Sequence, residues 1–529
     1  MNEQMQNFLT RYAPRLAELS KGEGVTFWNM TTTGLEEDEA KFTAAKAELL
    51  KLYADRDAFA ELKRLQASGA VTDPLLARQL DVLYNRFAGQ QIDPAAIDEL
   101  VKRETEIESA FTNFRAVIDG TKVSENDLND ILAQEKDNAK RRQAWEASKQ
   151  IGTEVAGKVI ALVKLRNEAA RQLGYENFYK MSLALQEIEE QELFQVLAEL
   201  KEATDAPFAS VKAELDGELA ARFGIDPQQV QAWHYADPFF QEAPAGGEID
   251  LDRFFKEQDV VALSKTYFDG IGLEIQDILD RSDLFEREGK NQHAYCIDID
   301  REGDVRILCN CRSNEYWMST MLHELGHAVY DKYHDTDLPW TLREPAHTLT
   351  TEAIAMLFGR LTKNADWLHK IAGVDPSEAK KSATAVAKQL TRQMLIFMRW
   401  GLVMTHFERD LYANPEQDLN ALWWQYVEQF QRVTRPEGRN EPDWAAKIHL
   451  GCSPVYYQNY ILGELTASQL NAAMERDLGI TSLTGAPQVG TWLTENVFRP
   501  GNRWHWNEMI ANATGEPLSA SYFVEQFVK

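Results

Sequence analysis

The chain has 529 residues, 44% hydrophobic and 26% charged, which excludes a disordered chain and gives enough apolar material for more than one lobe. Its 83 acidic residues against 56 basic ones give a net charge of −27, and the absence of basic runs excludes a partner held through nucleic-acid phosphates. Residues 1–20 mix charges without the apolar stretch of a signal peptide, and no run approaches a membrane span, so the expected location is the cytoplasm, with no membrane partner.

In chain order, apolar residues at three-and-four spacing predict helices over 37–69, 95–118, 127–150, 155–173 and 190–222, so the fold is expected to be mostly α. Pro and Gly interrupt the pattern at 243–247 and again at 435–438, which read as loops. The clearest β signal is a hairpin, Ala294 to Asp300 and Val305 to Cys309, turning through Gly303. Cys296, Cys309, Cys311 and Cys452 are too few for a disulfide scaffold, and Cys309-x-Cys311 lacks the spacing of a zinc knuckle, so buried thiols are expected. A helix follows over 315–333, with Ser313 and Asn314 placed to cap it and Trp317, Met321, Leu322, Leu325 and Val329 on one apolar face. Thr350 and Thr351 are candidate caps for a helical run opening at Glu352. Ser453-Pro454 resembles an N-cap with proline in the first turn, which would put Tyr457 and Tyr460 on one helix face. No internal repeat or low-complexity tract is present.

The helix at 315–333 contains His323-Glu324-Leu325-Gly326-His327. Two imidazoles four residues apart can grip one zinc ion, and the intervening glutamate can serve as base toward a water on that ion. A catalytic zinc takes three protein ligands and leaves a position open, so a third ligand is needed. Candidates are His334, Glu344, His347 and Glu352; Glu352 is preferred, because a carboxylate on a second helix packed on the first completes a His-His-Glu site. One zinc per chain, on His323, His327 and Glu352, is the expectation.

These segments resemble the gluzincin peptidases, and in particular the angiotensin-converting-enzyme-like peptidyl-dipeptidases. The resemblance rests on the HELGH pentapeptide, on Thr351-Glu352-Ala353-Ile354-Ala355-Met356 at the third ligand, on His293-Ala294 upstream, and on Lys447-Ile448-His449 followed by Pro454-Val455-Tyr456-Tyr457-Gln458-Asn459-Tyr460. It implies a two-lobed helical metallopeptidase with a deep central cleft and a small β-hairpin beside the zinc helix, as one unit over 1–529. Within it, residues 1–120 would form a helical lid region and 250–529 the zinc-bearing region. Three departures stand out. The spacing from His327 to Glu352 is one residue longer than in the converting enzymes, closer to the thimet-type oligopeptidases, and so is the spacing from His449 to Tyr457 and Tyr460. Met356 also occupies the position of a family aspartate that supports a zinc histidine.

The expected reaction is zinc-dependent hydrolysis of short peptides with release of C-terminal dipeptides. Glu324 would be the general base; Tyr460 and His449 would donate hydrogen bonds to the developing oxyanion. Ala294 would pair its backbone with an extended substrate, His293 would grip a carbonyl, and Lys447 with Tyr457 would hold the free carboxylate. The alternatives are internal cleavage by an oligoendopeptidase and a catalytically silent peptide-binding protein on the same scaffold. The oligomeric state is not legible.

Overall fold

Side-chain caps decide where the helices begin and end. In the computed structural model, which describes residues 1–244 and 249–529, the run expected over 37–69 is two helices, Glu36–Tyr53 and Arg56–Ser68. Asp55 separates them by accepting the backbone N–H groups of Asp57 and Ala58, a local bond that competes with helix continuation. Asp137 does the same within 127–150, dividing it into Glu125–Gln134 and Asn138–Ser148. The helix expected to reach 118 stops at Asn113, and Ala116–Ile118 instead pairs with Thr121–Val123 in a small antiparallel hairpin. The expectations over 155–173 and 190–222 stand as Gln150–Gln172 and Glu190–Phe223. The loop at 435–438 is irregular; of the break at 243–247, residues 245–247 lie outside the described residues.

The helices gather around two main cores. Met5, Phe8, Leu16, Leu62, Leu83 and Phe87 form one within the first 88 residues, and a larger one extends from Ile107 to Phe527. Polar ties join the two cores: Arg86 to Glu344 at 2.5 Å, Lys21 to Asp300 at 3.0 Å, and Arg78 to both Glu187 and Asn502. Trp28 of the first helix, Asn2–Thr33, packs on Ile299 and Leu308 of the central hairpin. That hairpin pairs Tyr295–Asp298 with Val305–Leu308 in antiparallel register, Tyr295 opposite Leu308 and Asp298 opposite Val305. Gly303 supplies the positive φ its turn needs. No described helix is long and apolar enough to cross a membrane.

Three helices form the centre of the large core: Glu315–Tyr333, Thr348–Gly359 and Gln458–Leu478, the second packed against both others. Two glycines permit the close approach. A Cβ on Gly326 would lie 2.7 Å from Ala355 Cα, and one on Gly463 would lie 2.9 Å from Glu352 Cβ. A buried ion pair between Arg360 and Glu464 ties the end of the second helix to the third.

Two expected helix starts are corrected. His347 caps Thr348–Gly359, its Nδ1 accepting the Leu349 N–H at 3.0 Å, so Glu352 lies in the second turn and Thr350 and Thr351 are not the caps. The third helix begins at Gln458 rather than at Ser453-Pro454, because Val455 adopts φ 54, a conformation a helix cannot contain.

Candidate active site

Asn314 caps the first of these helices by accepting the Trp317 N–H at 2.9 Å, which sets the register that sends His323 and His327 to one side. The neighbouring helix brings Glu352 between them, with its Oε2 at 3.5 Å from His323 Nε2 and 3.7 Å from His327 Nε2. One ligand atom from each of the three lies within 4.8 Å of the others. Of the remaining candidates, Glu344 is held in ion pairs with Arg86 and Arg301, His347 is spent as a cap, and His334 is buried beside Arg301.

The chemistry of this donor set fits zinc. Glu352 is 1% exposed, and its Oε2 is a buried oxygen without a hydrogen-bond partner. Burial pushes its pKa up to about 8 and pulls that of His323 down to about 4; His327 is pulled down further by burial and the neighbouring His323. Two neutral imidazoles and an orphaned carboxylate oxygen, all turned to one point, are what a divalent cation satisfies. His327 Nδ1 is 2.7 Å from Thr351 Oγ1, which leaves Nε2 free to ligate. The support that Met356 cannot give to a histidine therefore comes from Thr351, one residue before the glutamate. Tyr456 holds the other oxygen of Glu352, donating to Oε1 at 2.5 Å. Neither contact is legible in the sequence, where Thr351 stands as a candidate cap and Tyr456 only as one residue of the segment 454–460.

Glu324 is buried, and burial followed by the nearby Glu352 pushes its carboxyl well above the usual carboxylate range. His449 Nε2 lies 3.1 Å from Tyr460 Oη, and the His449 ring also touches those of Tyr456, Tyr457 and His293. One connected group of rings thus leads from Glu352 to the hairpin. Ala294 immediately precedes the strand Tyr295–Asp298, whose second edge has no partner strand among the described residues. Such an edge can accept an extended peptide.

Beyond His293 opens a cavity of about 230 Å³, lined also by Lys447, Gln241, Glu242, Glu125 and Tyr316. Lys447 sits near the rings of Phe239, Trp400 and Tyr457 and donates to Gln241 Oε1 at 2.9 Å. Burial pulls its pKa down to about 8 against the opposing pull of Glu125, Asp237 and Glu242. Tyr457, on the same side, accepts a hydrogen bond from Trp400 Nε1 at 2.7 Å and keeps its own proton to donate. Gln241 could not be found from sequence: it lies some two hundred residues before Lys447, in a turn whose only local signal is Asp237. That carboxylate accepts the N–H groups of Phe239, Gln241 and Glu242 and fixes the segment.

Comparison with known proteins agrees with this geometry. The family model described as "Angiotensin-converting enzyme" matches residues 1–528. An angiotensin-converting enzyme of Theromyzon tessulatum is 23% identical over 433 residues, 74% of this chain and 69% of that protein. Carboxypeptidase 1 of Bacillus subtilis is 25% identical over 261 residues, 44% of this chain and 51% of that protein. Angiotensin-converting enzyme of Mesocricetus auratus is 25% identical over 248 residues, 44% of this chain but only 19% of its own longer length. With the family model spanning nearly every residue and a His-His-Glu group gathered at the centre of the helical body, the chain belongs to the angiotensin-converting enzyme family of zinc metallopeptidases.

Proposed function

We propose that the protein is a peptidyl-dipeptidase that releases C-terminal dipeptides from short peptides. The observation that carries the reading is the Lys447–Gln241 pair, a cation and an amide presented at the wall of a cavity one tyrosine ring away from the reaction centre. Tyr457 separates the two, with Lys447 Nζ 5.8 Å from its ring centre and the Tyr460 ring 5.0 Å away on another side.

The substrate would lie along the free edge of the hairpin strand, its backbone paired at Ala294 and one carbonyl held by His293. Lys447, Gln241 and Tyr457 would bind the terminal carboxylate, so that the peptide bond two residues from the end meets Glu324. Zinc on His323, His327 and Glu352 would supply Lewis acidity to the attacking water and to the scissile carbonyl. Glu324 would take the proton from that water and deliver it to the leaving amine, a role suited to a buried carboxylate whose proton affinity is already raised. Tyr460 Oη, with His449 beside it, would donate to the carbonyl oxygen as charge develops there. Residues 1–120 would act as the lid that narrows access, and the four free thiols support a reducing, cytoplasmic setting.

The test is a blocked peptide presented as the free acid and as the C-terminal amide, with and without chelator, its products identified by mass spectrometry. Dipeptide release from the acid alone, abolished by chelator, is expected. Equal internal cleavage of both forms would mean an oligoendopeptidase instead, and no cleavage of either would leave only a binding protein.

A further inference from the structure

Most acids on the cavity wall are already engaged. Asp130 pairs with Arg312 at 2.7 Å, Glu315 with Lys363 at 2.5 Å, and Asp252 accepts the Glu315 N–H. Asp237 is spent on the three backbone N–H groups of its own turn. Glu242 differs. It lines the cavity, directly follows Gln241, and makes no side-chain hydrogen bond or ion pair with the described residues. Its backbone is pinned by the Asp237 carboxylate at 3.0 Å and, through Ala243, by Gln393 at 2.7 Å, so the side chain is presented from a fixed base.

Charge balance points to what it awaits. Two cations act on Glu242, Lys363 and Lys447; Lys363 is already paired with Glu315, and a substrate carboxylate on Lys447 would consume the other, leaving the acid uncompensated at the cavity wall. A cationic side chain on the same terminal residue would restore neutrality, and a guanidinium or ammonium beside a carboxylate gives a charge-assisted hydrogen bond. An apolar terminal residue would leave the acid unsatisfied, and an acidic one would be repelled. We propose that Glu242 is a specificity residue that selects peptides ending in arginine or lysine, through the side chain of the last residue. Burial, then Asp237, pushes the Glu242 carboxyl up to about 8 in the free protein, as expected of an acid lacking its cation.

The inference rests on the peptidyl-dipeptidase reading, and its test separates the two. Blocked peptides differing only in the last residue, Arg, Leu or Glu, are compared as free acids and amides in wild type, Glu242→Gln and Glu242→Lys. In wild type, kcat/KM is expected to favour Arg over Leu by roughly tenfold to a hundredfold, the scale of one hydrogen bond to a charged group, with Glu poorest. Glu242→Gln should bring the Arg-to-Leu ratio toward one, and Glu242→Lys should raise Glu above Arg. Dipeptide release without an Arg preference in wild type, or a preference that survives Glu242→Gln, overturns the role of Glu242 while the activity stands. A preference expressed only when Arg is penultimate overturns it too. Amides cut as readily as acids would instead remove the reading beneath it.

Discussion

Glu324 and Glu352 are both buried carboxylates, and their neighbours separate their roles. Glu352 converges with two imidazoles, whereas Glu324 adjoins the triad without joining it. Glu324→Gln should therefore keep zinc and lower kcat by ~10²-fold or more, while Glu352→Ala should weaken zinc itself; metal content and turnover measured on one preparation distinguish the two. Thr351 orients His327, so Thr351→Val should weaken zinc ~10- to 100-fold in a chelator competition while Thr351→Ser retains it. Lys447 carries a pH signature. A lysine pulled down to about 8 is charged below that value and neutral above it, so kcat/KM for free-acid peptides should fall as pH rises through about 8. The ratio of acid to amide cleavage isolates this from other ionisations.

Helix contact sets the triad as much as the ligands do. Gly326 and Gly463 let three helices approach until backbone meets backbone, and a methyl group at either position would need space already filled. Gly463→Ala presses on Glu352 Cβ and should lower both thermal stability, by about 1–3 kcal/mol, and zinc affinity; a variant that lost stability alone would mean the carboxylate re-seats freely. Val455 is the other element-scale feature. A β-branched residue at φ 54 is strained by about 1–3 kcal/mol, and its N–H bond to Glu408 at 2.7 Å, with its carbonyl held by Gln186 and Gln458, fixes that conformation. Immediately beyond the strained residue come Tyr456 and Tyr457. The bend at Val455 sets the helix start at Gln458 rather than at Ser453-Pro454.

At the scale of the whole molecule, the separate core of the first 88 residues and its ties to the hairpin through Trp28, Lys21 and Arg86 set a second body beside the hairpin next to the zinc helix. Short peptides should be cut readily and intact casein barely, as gel and mass analysis of parallel digests would reveal; rapid loss of intact casein would count against enclosure. The relatives differ in length, and the chain spans 69% of the Theromyzon tessulatum enzyme but 19% of the Mesocricetus auratus one, so the shared unit is the helical body rather than the whole of every relative.

The sequence by itself determined the mostly helical class, the hairpin, and the metal-gripping helix, because each is written in local spacing: apolar residues every three or four positions, alternation around a Gly turn, and two histidines one helical turn apart. It also located the stretch that holds Glu352, though not the cap of its helix, since an imidazole replaced the expected hydroxyl. Gln241 beside Lys447, Thr351 behind His327, Tyr456 on Glu352 and the placement of Glu242 at the cavity wall were decided only by the tertiary structure. Each depends on a meeting between segments distant in the chain or on the rotation of one helix against another, and no local periodicity encodes either.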